Sequence, residues 1–147
     1  MKIVISVLLA MTLWSTAPWA AASEDEASSA VQPAAWAPAM KAQDWTAAIP
    51  LLEAEIAADK GTANVHNLLG FAYRKTGNFD MAFKNYAVAL QINPEHKGAH
   101  EYVGQTYLAV GNLEMAKKHL ADLDRICFFG CSEYDDLKQA ITAYRPK

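Results

Sequence analysis

The residues best suited to chemistry are two cysteines near the carboxyl end of the chain. Cys127 and Cys131 are the only cysteines among 147 residues, and Gly130 lies between them. In an oxidising compartment such a pair forms a disulfide by default. Residues four apart on an unbroken helix bridge poorly, so the glycine indicates that a helix has already ended there. The pattern predicts a disulfide that fixes the docking angle of the segment that follows.

The same pair leaves a second chemistry open. Two thiolates at this spacing, with His119 two turns upstream, could hold Cu(I), which soft ligands favour. Thiol exchange is a related function, although its usual spacing is Cys-x-x-Cys. The alternative prediction is therefore a copper-binding or thiol-redox module that uses Cys127, Cys131 and His119.

Outside this pair the chain carries no pattern typical of an enzyme. It has no Ser-His-Asp order, no phosphate-binding glycine loop and no paired carboxylates in a plausible cleft. We therefore predict a protein that is not an enzyme and needs no cofactor. Thirteen Lys and Arg against sixteen Asp and Glu give a net charge of −3, without a basic cluster. This charge argues against a nucleic acid or a membrane surface as the partner.

The clearest sign of organisation is an internal repeat, in which the pattern of positions 69–86 recurs at positions 103–120. A fixed period of about 34 residues indicates a supersecondary unit that is copied and stacked. Apolar residues at helical spacing predict two helices in each unit, separated by a glycine turn. The positions in register are Leu69 and Val103, Gly70 and Gly104, Tyr73 and Tyr107, Gly77 and Gly111, Ala82 and Ala116, and Tyr86 and Leu120.

These residues name a family. The motif His66-x-x-Leu69-Gly70-x-x-Tyr73, followed by Gly77, Ala82-x-x-x-Tyr86 and Pro94, resembles a tetratricopeptide repeat (TPR). The resemblance implies an all-α fold, a right-handed superhelix of antiparallel helix pairs about two and a half repeats long, with a C-terminal capping helix. The TPR domain is expected over 34–131, with a degenerate first repeat at 34–62 and further repeats at 63–96 and 97–130.

The ends of the array depart from the motif. Pro33 and Pro38 should interrupt any helix around Trp36. The first half of the first repeat also matches the motif poorly, since Ala35-Trp36 stands where Leu-Gly belongs and Ala39 where Tyr belongs. The capping helix is expected over 132–147, with Ser132 as its N-cap and Asp135 in the capping-box position.

In this family the first helix of each pair lines a concave groove that binds a peptide or a partner's helix. The resemblance therefore implies a protein or peptide partner, and the residues opposite the core stripe are the candidates. They are Asn64, Asn67, Phe71, Arg74, Glu101, Gln105 and Leu108. Their amides, one aromatic ring and one guanidinium suit a polar backbone with an apolar anchor.

Two histidines stand one repeat apart, at His66 and His100. We expect each to pack in place of the aromatic residue of the motif. The alternative is that they meet across the stack, where they would bind a metal or sense pH.

The amino-terminal segment 1–22 predicts export. Lys2 precedes the apolar stretch Ile3–Leu13, and Ala20-Ala21-Ala22 offers the small residues that a signal peptidase recognises. The stretch is shorter than the roughly 20 residues of a membrane span, although an uncleaved anchor stays an alternative. The segment 23–33 is expected to form a flexible linker. The sequence thus predicts a periplasmic or secreted TPR adaptor.

Overall fold

Helices account for the regular structure of the described residues. The structure is a computed structural model that describes residues 34–146, so the expected signal peptide (1–22) and linker (23–33) lie outside the described residues. No strand occurs in this range, and none of its helices is both long and apolar enough to cross a membrane. The α-helices are α1 (Ala37–Lys41), α2 (Trp45–Glu55), α3 (Ala63–Lys75), α4 (Phe79–Ile92), α5 (Lys97–Ala109), α6 (Leu113–Ile126) and α7 (Ser132–Ala143), and a π-helical turn, Ile56–Lys60, follows α2 directly.

The second helix of each pair starts with the same capping interaction. The side chains of Asp44, Asn78 and Asn112, which occupy equivalent positions of the three units, each accept a hydrogen bond from the backbone N–H three positions later. Such a cap satisfies one of the donors that a helix start leaves unpaired. Asp and Asn are among the residues that helix starts favour most, because their short side-chain oxygens reach this N–H.

The turn before each of these caps requires a left-handed backbone. Gly77 and Gly111 have φ of 81° and 82°, which glycine adopts without strain. The equivalent position of the first repeat holds Gln43, whose φ is 58°. A side chain in this conformation is disfavoured by about 1 kcal/mol or more. The degenerate first repeat therefore keeps the turn geometry of its neighbours with a less suitable residue.

The helices form two rows that pack differently. The inner helices α3, α5 and α7 contact one another in succession, whereas the outer helices α2, α4 and α6 do not contact one another. Because the inner row is continuous and the outer row is spread apart, the array curves with the inner helices on its concave side. This arrangement confirms the all-α, TPR-type fold.

Two equivalent glycines, Gly70 and Gly104, are each covered directly by a neighbouring side chain. A Cβ added to Gly70 would lie 2.6 Å from the Tyr86 ring, which has no exposed surface. The equivalent Gly104 is covered instead by Leu137 of α7, 2.5 Å from such a Cβ. Position 120, the equivalent of Tyr86, is a leucine. The capping helix thus contributes the side chain that packs directly on Gly104.

Two expectations at the ends of the array are wrong. A short helix, α1, does form beside Trp36, because Pro38 lies in its first turn, where a missing N–H breaks no helical hydrogen bond. At the other end, Cys131 is the N-cap of α7, and no side chain caps the helix. The Ser132 hydroxyl donates to Glu133 instead, so the predicted capping box is not formed.

The glycine contacts predict a difference between two alanine substitutions. Gly70→Ala should destabilise the protein by about 2 kcal/mol, since the rigid, buried Tyr86 ring cannot move away from the added methyl group. Gly104→Ala should be milder, because the end of the Leu137 side chain can change rotamer. Urea unfolding of both variants measures the difference, and equal stability of Gly70→Ala and the parent would contradict this packing.

Candidate functional site

An open cleft lies at the carboxyl-terminal ends of the three inner helices. We call it the inner cleft; its volume is about 700 Å³. A hollow of about 370 Å³ shares Leu108, Ala109, Tyr144 and Arg145 with it and extends it towards Gly111 and Pro146. The residues that line the inner cleft are Arg74, Phe79, Gln105, Leu108, Ala109, Ala140, Ala143, Tyr144 and Arg145.

Three of the seven groove candidates line this cleft, namely Arg74, Gln105 and Leu108. The other wall comes from α7 and the residues after it, which sequence analysis treated only as a cap. These residues could have been predicted from the place of α7 in the chain, directly after the last repeat. A helix at that place continues the inner row and therefore also continues the concave surface. Tyr144 and Arg145 follow directly from that placement.

The remaining candidates differ in accessibility. Asn64 is exposed, but Asn67 and Glu101 are only 4% and 7% exposed. Both side chains lie within the packed inner row, because neighbouring inner helices approach each other closely enough to cover them. Asn67 and Glu101 therefore do not present free side chains to a partner, contrary to the sequence-based expectation.

Phe71 belongs to a row of aromatic rings along the inner face. Its ring centroid is 5.2 Å from that of Trp45 and 4.8 Å from that of Tyr102. The Arg74 guanidinium lies 5.2 Å from the Phe71 ring, and the Lys75 ammonium lies 5.6 Å from the Trp45 ring. Cations at these distances are attracted by the faces of the rings. Phe71 is thus half-buried packing that supports Arg74, and not the free anchor expected from its position.

Glu101 carries the most perturbed carboxyl group of the inner face. Burial, followed by the nearby carboxylates of Asp136 and Glu133, raises its pKa from 4.5 to about 7. Its Oε1 accepts a hydrogen bond from Gln105 Nε2 at 2.7 Å. Gln105, which lines the cleft, is therefore oriented by a buried group whose charge changes near neutral pH.

The two cysteines adopt the geometry of a disulfide. The sulfur atoms of Cys127 and Cys131 are 2.00 Å apart, and the Cα atoms are 5.6 Å apart. Gly130 has a φ of 84°, so the chain reverses between them as its glycine indicated. The structure does not bring His119 to this pair: within residues 34–146 the metal-ligating groups that converge with His119 are His100 and Asp122.

The histidines do not meet across the stack. His66 Nδ1 is 3.3 Å from the Asn85 side-chain oxygen, and His100 Nδ1 is 3.0 Å from His119 Nδ1. Each contact joins the two helices of one repeat, and the second pair occupies the equivalent positions of the next repeat along the chain. Burial, followed by the charge of His100, lowers the pKa of His119 to about 4.

Comparison with known proteins identifies the repeating unit. Residues 63–96 match the tetratricopeptide repeat family. This segment is a TPR. The chain is also 33% identical, over 64 residues, to the protein O-mannosyl-transferase TMTC3 of human and of mouse. That match covers 44% of the chain but 7% of each relative, and the transferase named is the relative's own activity.

TPR repeats generally mediate protein–protein interaction. An open cleft on the concave side of the array, at the carboxyl-terminal ends of the inner helices, is consistent with that role. In this chain the TPR at 63–96 contributes Arg74 and Phe79, and the following helices supply the rest of the lining. The cleft is therefore not contained in one repeat but requires α5 and α7 to be docked beside it.

The raised pKa of Glu101 predicts a pH-dependent stability. The folded state holds the proton more tightly than the unfolded chain, so this group contributes stability that is present below about pH 4.5 and is lost as the pH rises to about 7. Between these limits the free energy of unfolding should fall by about 1–3 kcal/mol more in the parent than in Glu101→Gln. Urea unfolding at both pH values measures this difference.

The matched control is Glu95→Gln, whose side chain is exposed. It should reproduce the parent's pH profile. If Glu101→Gln also reproduces that profile, the carboxyl group is not perturbed by the inner face.

Proposed function

We propose that this chain is an exported adaptor that binds a peptide or protein segment in the inner cleft. The observation that carries the proposal is the cleft itself, in which apolar side chains and two arginines line one open volume of about 700 Å³. Leu108, Ala140 and Ala143 offer the apolar surface, and Arg74 and Arg145 offer charged donors. A site of this kind suits an extended segment that carries both an apolar and an acidic side chain.

Support for a protein partner also comes from the presence of a TPR and from the net charge of −3, which does not favour a polyanion. The arginines matter because a guanidinium binds a carboxylate through two parallel hydrogen bonds. Arg74 is held by the Phe71 and Tyr102 rings, at 5.2 and 5.6 Å, and its Nε is buried without a hydrogen-bond partner in the described residues. Its orientation is thus fixed before a ligand arrives, which lowers the entropy lost on binding.

The cleft predicts which variants lose binding. Peptides selected from a displayed random library against the parent chain should bind at least tenfold more weakly to Arg145→Ala and to Gln105→Ala, since a hydrogen bond to a charged group contributes about 1.5–3 kcal/mol. Lys84→Ala is the control, because Lys84 lies on the outer helix α4, away from the cleft. Fluorescence polarisation measures the affinities. Equal binding by all four proteins would place the site elsewhere.

Export is proposed from the sequence of segment 1–22. A cleaved signal peptide would leave Ser23 at the amino terminus, and an oxidising compartment would favour a disulfide between Cys127 and Cys131. The disulfide would close the loop directly before α7 and so limit how that wall of the cleft can move.

Intact-mass measurement of the protein isolated from the periplasm tests both statements together. The expected mass is that of the chain 23–147, lighter by two thiol hydrogens. Retention of segment 1–22 would indicate the anchored alternative, and thiols that react with iodoacetamide without prior reduction would contradict the disulfide and favour the copper or thiol-redox alternative.

A further inference from the structure

Three metal-ligating side chains converge between α5 and α6, and none of them lines the inner cleft. His100 Nδ1 is 3.0 Å from His119 Nδ1 and 3.9 Å from a carboxylate oxygen of Asp122. One donor atom from each of the three residues lies within 4.8 Å of the other two. His119 and Asp122 are three positions apart on α6, so they project from the same face of that helix.

The hydrogen bonds around the cluster orient its side chains towards its centre. His100 Nε2 is 2.9 Å from the carbonyl oxygen of Pro94, which can only accept, so Nε2 carries the proton and Nδ1 accepts. His119 Nδ1, 3.0 Å away, therefore donates to His100 Nδ1 in the metal-free protein, and metal binding requires this proton to move to His119 Nε2. On Asp122, Oδ1 accepts a hydrogen bond from Arg125 at 3.1 Å, while Oδ2 faces His100. The Pro94 carbonyl thus accepts from His100, and the Arg125 guanidinium donates to Asp122. Hydrogen bonds of this kind, from residues outside the ligand set, orient the ligands of metal sites.

We propose that His100, His119 and Asp122 form a binding site for a divalent transition metal, with Zn²⁺ as the best fit. Zinc binds imidazole nitrogen and carboxylate oxygen at about 2.0–2.2 Å, so ligands on a tetrahedral ion are separated by about 3.3 Å. The two nitrogen atoms, 3.0 Å apart, are close to that separation. The Asp122 oxygen is 3.9 Å from His100 Nδ1 and within 4.8 Å of a ring nitrogen of His119, so it reaches that separation by a side-chain movement of about 1–1.5 Å. Three protein ligands leave a fourth position for water.

The TPR at 63–96 supplies an internal comparison that separates a metal site from ordinary packing. The equivalent histidine, His66, bonds to Asn85, and the position equivalent to Asp122 is Val88. The fold therefore needs only one polar contact at this place, and an amide satisfies it. In the next unit His119 replaces Asn85 and Asp122 replaces Val88. These two changes add two metal-ligating side chains beside His100.

The cluster is protected but reachable. His100 is 6% exposed, whereas the Asp122 side chain is 30% exposed, so an ion can enter from the α6 side. His119 also borders an outer cleft of about 260 Å³ that is lined by Phe83, Ala87, Leu90, Val103 and Tyr107. A bound ion would join α5 to α6 and, through the Pro94 carbonyl behind His100, would hold the loop that precedes α5.

The test is to titrate zinc into the full, untagged chain, with its cysteines oxidised, and to measure binding by isothermal titration calorimetry. The parent is expected to bind one zinc ion with a Kd of about 1 μM or tighter. His119→Asn should weaken binding at least a hundredfold, and Asp122→Asn at least tenfold. His119→Asn recreates the histidine–asparagine pair of the preceding TPR, so it should fold like the parent, which circular dichroism checks.

The matched control is His66→Gln, which changes the equivalent histidine and should leave the zinc affinity unchanged. Cobalt(II) is a second probe: the parent should give the intense visible absorption of a tetrahedral site, and His119→Asn should not. The proposal is overturned if the parent binds no zinc, if His119→Asn binds it as tightly as the parent, or if His66→Gln loses binding equally.

Discussion

The fold depends on how closely a helix can approach the backbone of a glycine in the next one. At Gly70 the Tyr86 ring packs where any side chain would lie, and the ring is fully buried. This contact sets the distance between α3 and α4, and with it the depth to which apolar side chains interlock. Because protein interiors are close-packed, a change at this one position is transmitted to every side chain around it. The curvature of the array follows from a different feature, namely that neighbouring inner helices contact one another whereas neighbouring outer helices do not.

The capping helix is part of this packing and part of the candidate site. Leu137 packs on Gly104, where α7 takes the place that the inner helix of a further repeat would occupy. A terminal element of a repeat array must cover the last apolar face and present a polar outer face. Here the same helix also places Ala140 and Ala143 in the wall of the inner cleft. The stability of the array and the shape of its concave surface therefore both depend on the packing of α7 against α5, directly after the cysteine pair.

Some equivalent positions in neighbouring units hold the same residue, whereas others hold residues of different chemistry. Ala48, Ala82 and Ala116 are all fully buried, since the close helix contact leaves no room for a larger residue. Asn85 and His119 occupy one place in two successive units, yet one is an amide paired with His66 and the other lies in the cluster for which we propose metal binding. Positions that set the distance between helices are thus constrained, whereas positions that only need one polar contact are free to acquire a function.

Much of this protein was determined by local interactions that a sequence displays directly. The caps at Asp44 and Asn78 and the left-handed turn at Gly77 depend on residues within three positions of each other, and the helix class follows from apolar spacing. Only the tertiary structure decided that His100 meets His119, that Glu101 is buried, and that α7 forms half of the cleft. These outcomes depend on the rotation and approach of helices that are distant in sequence, and small changes in that approach decide whether a side chain faces solvent or a neighbour.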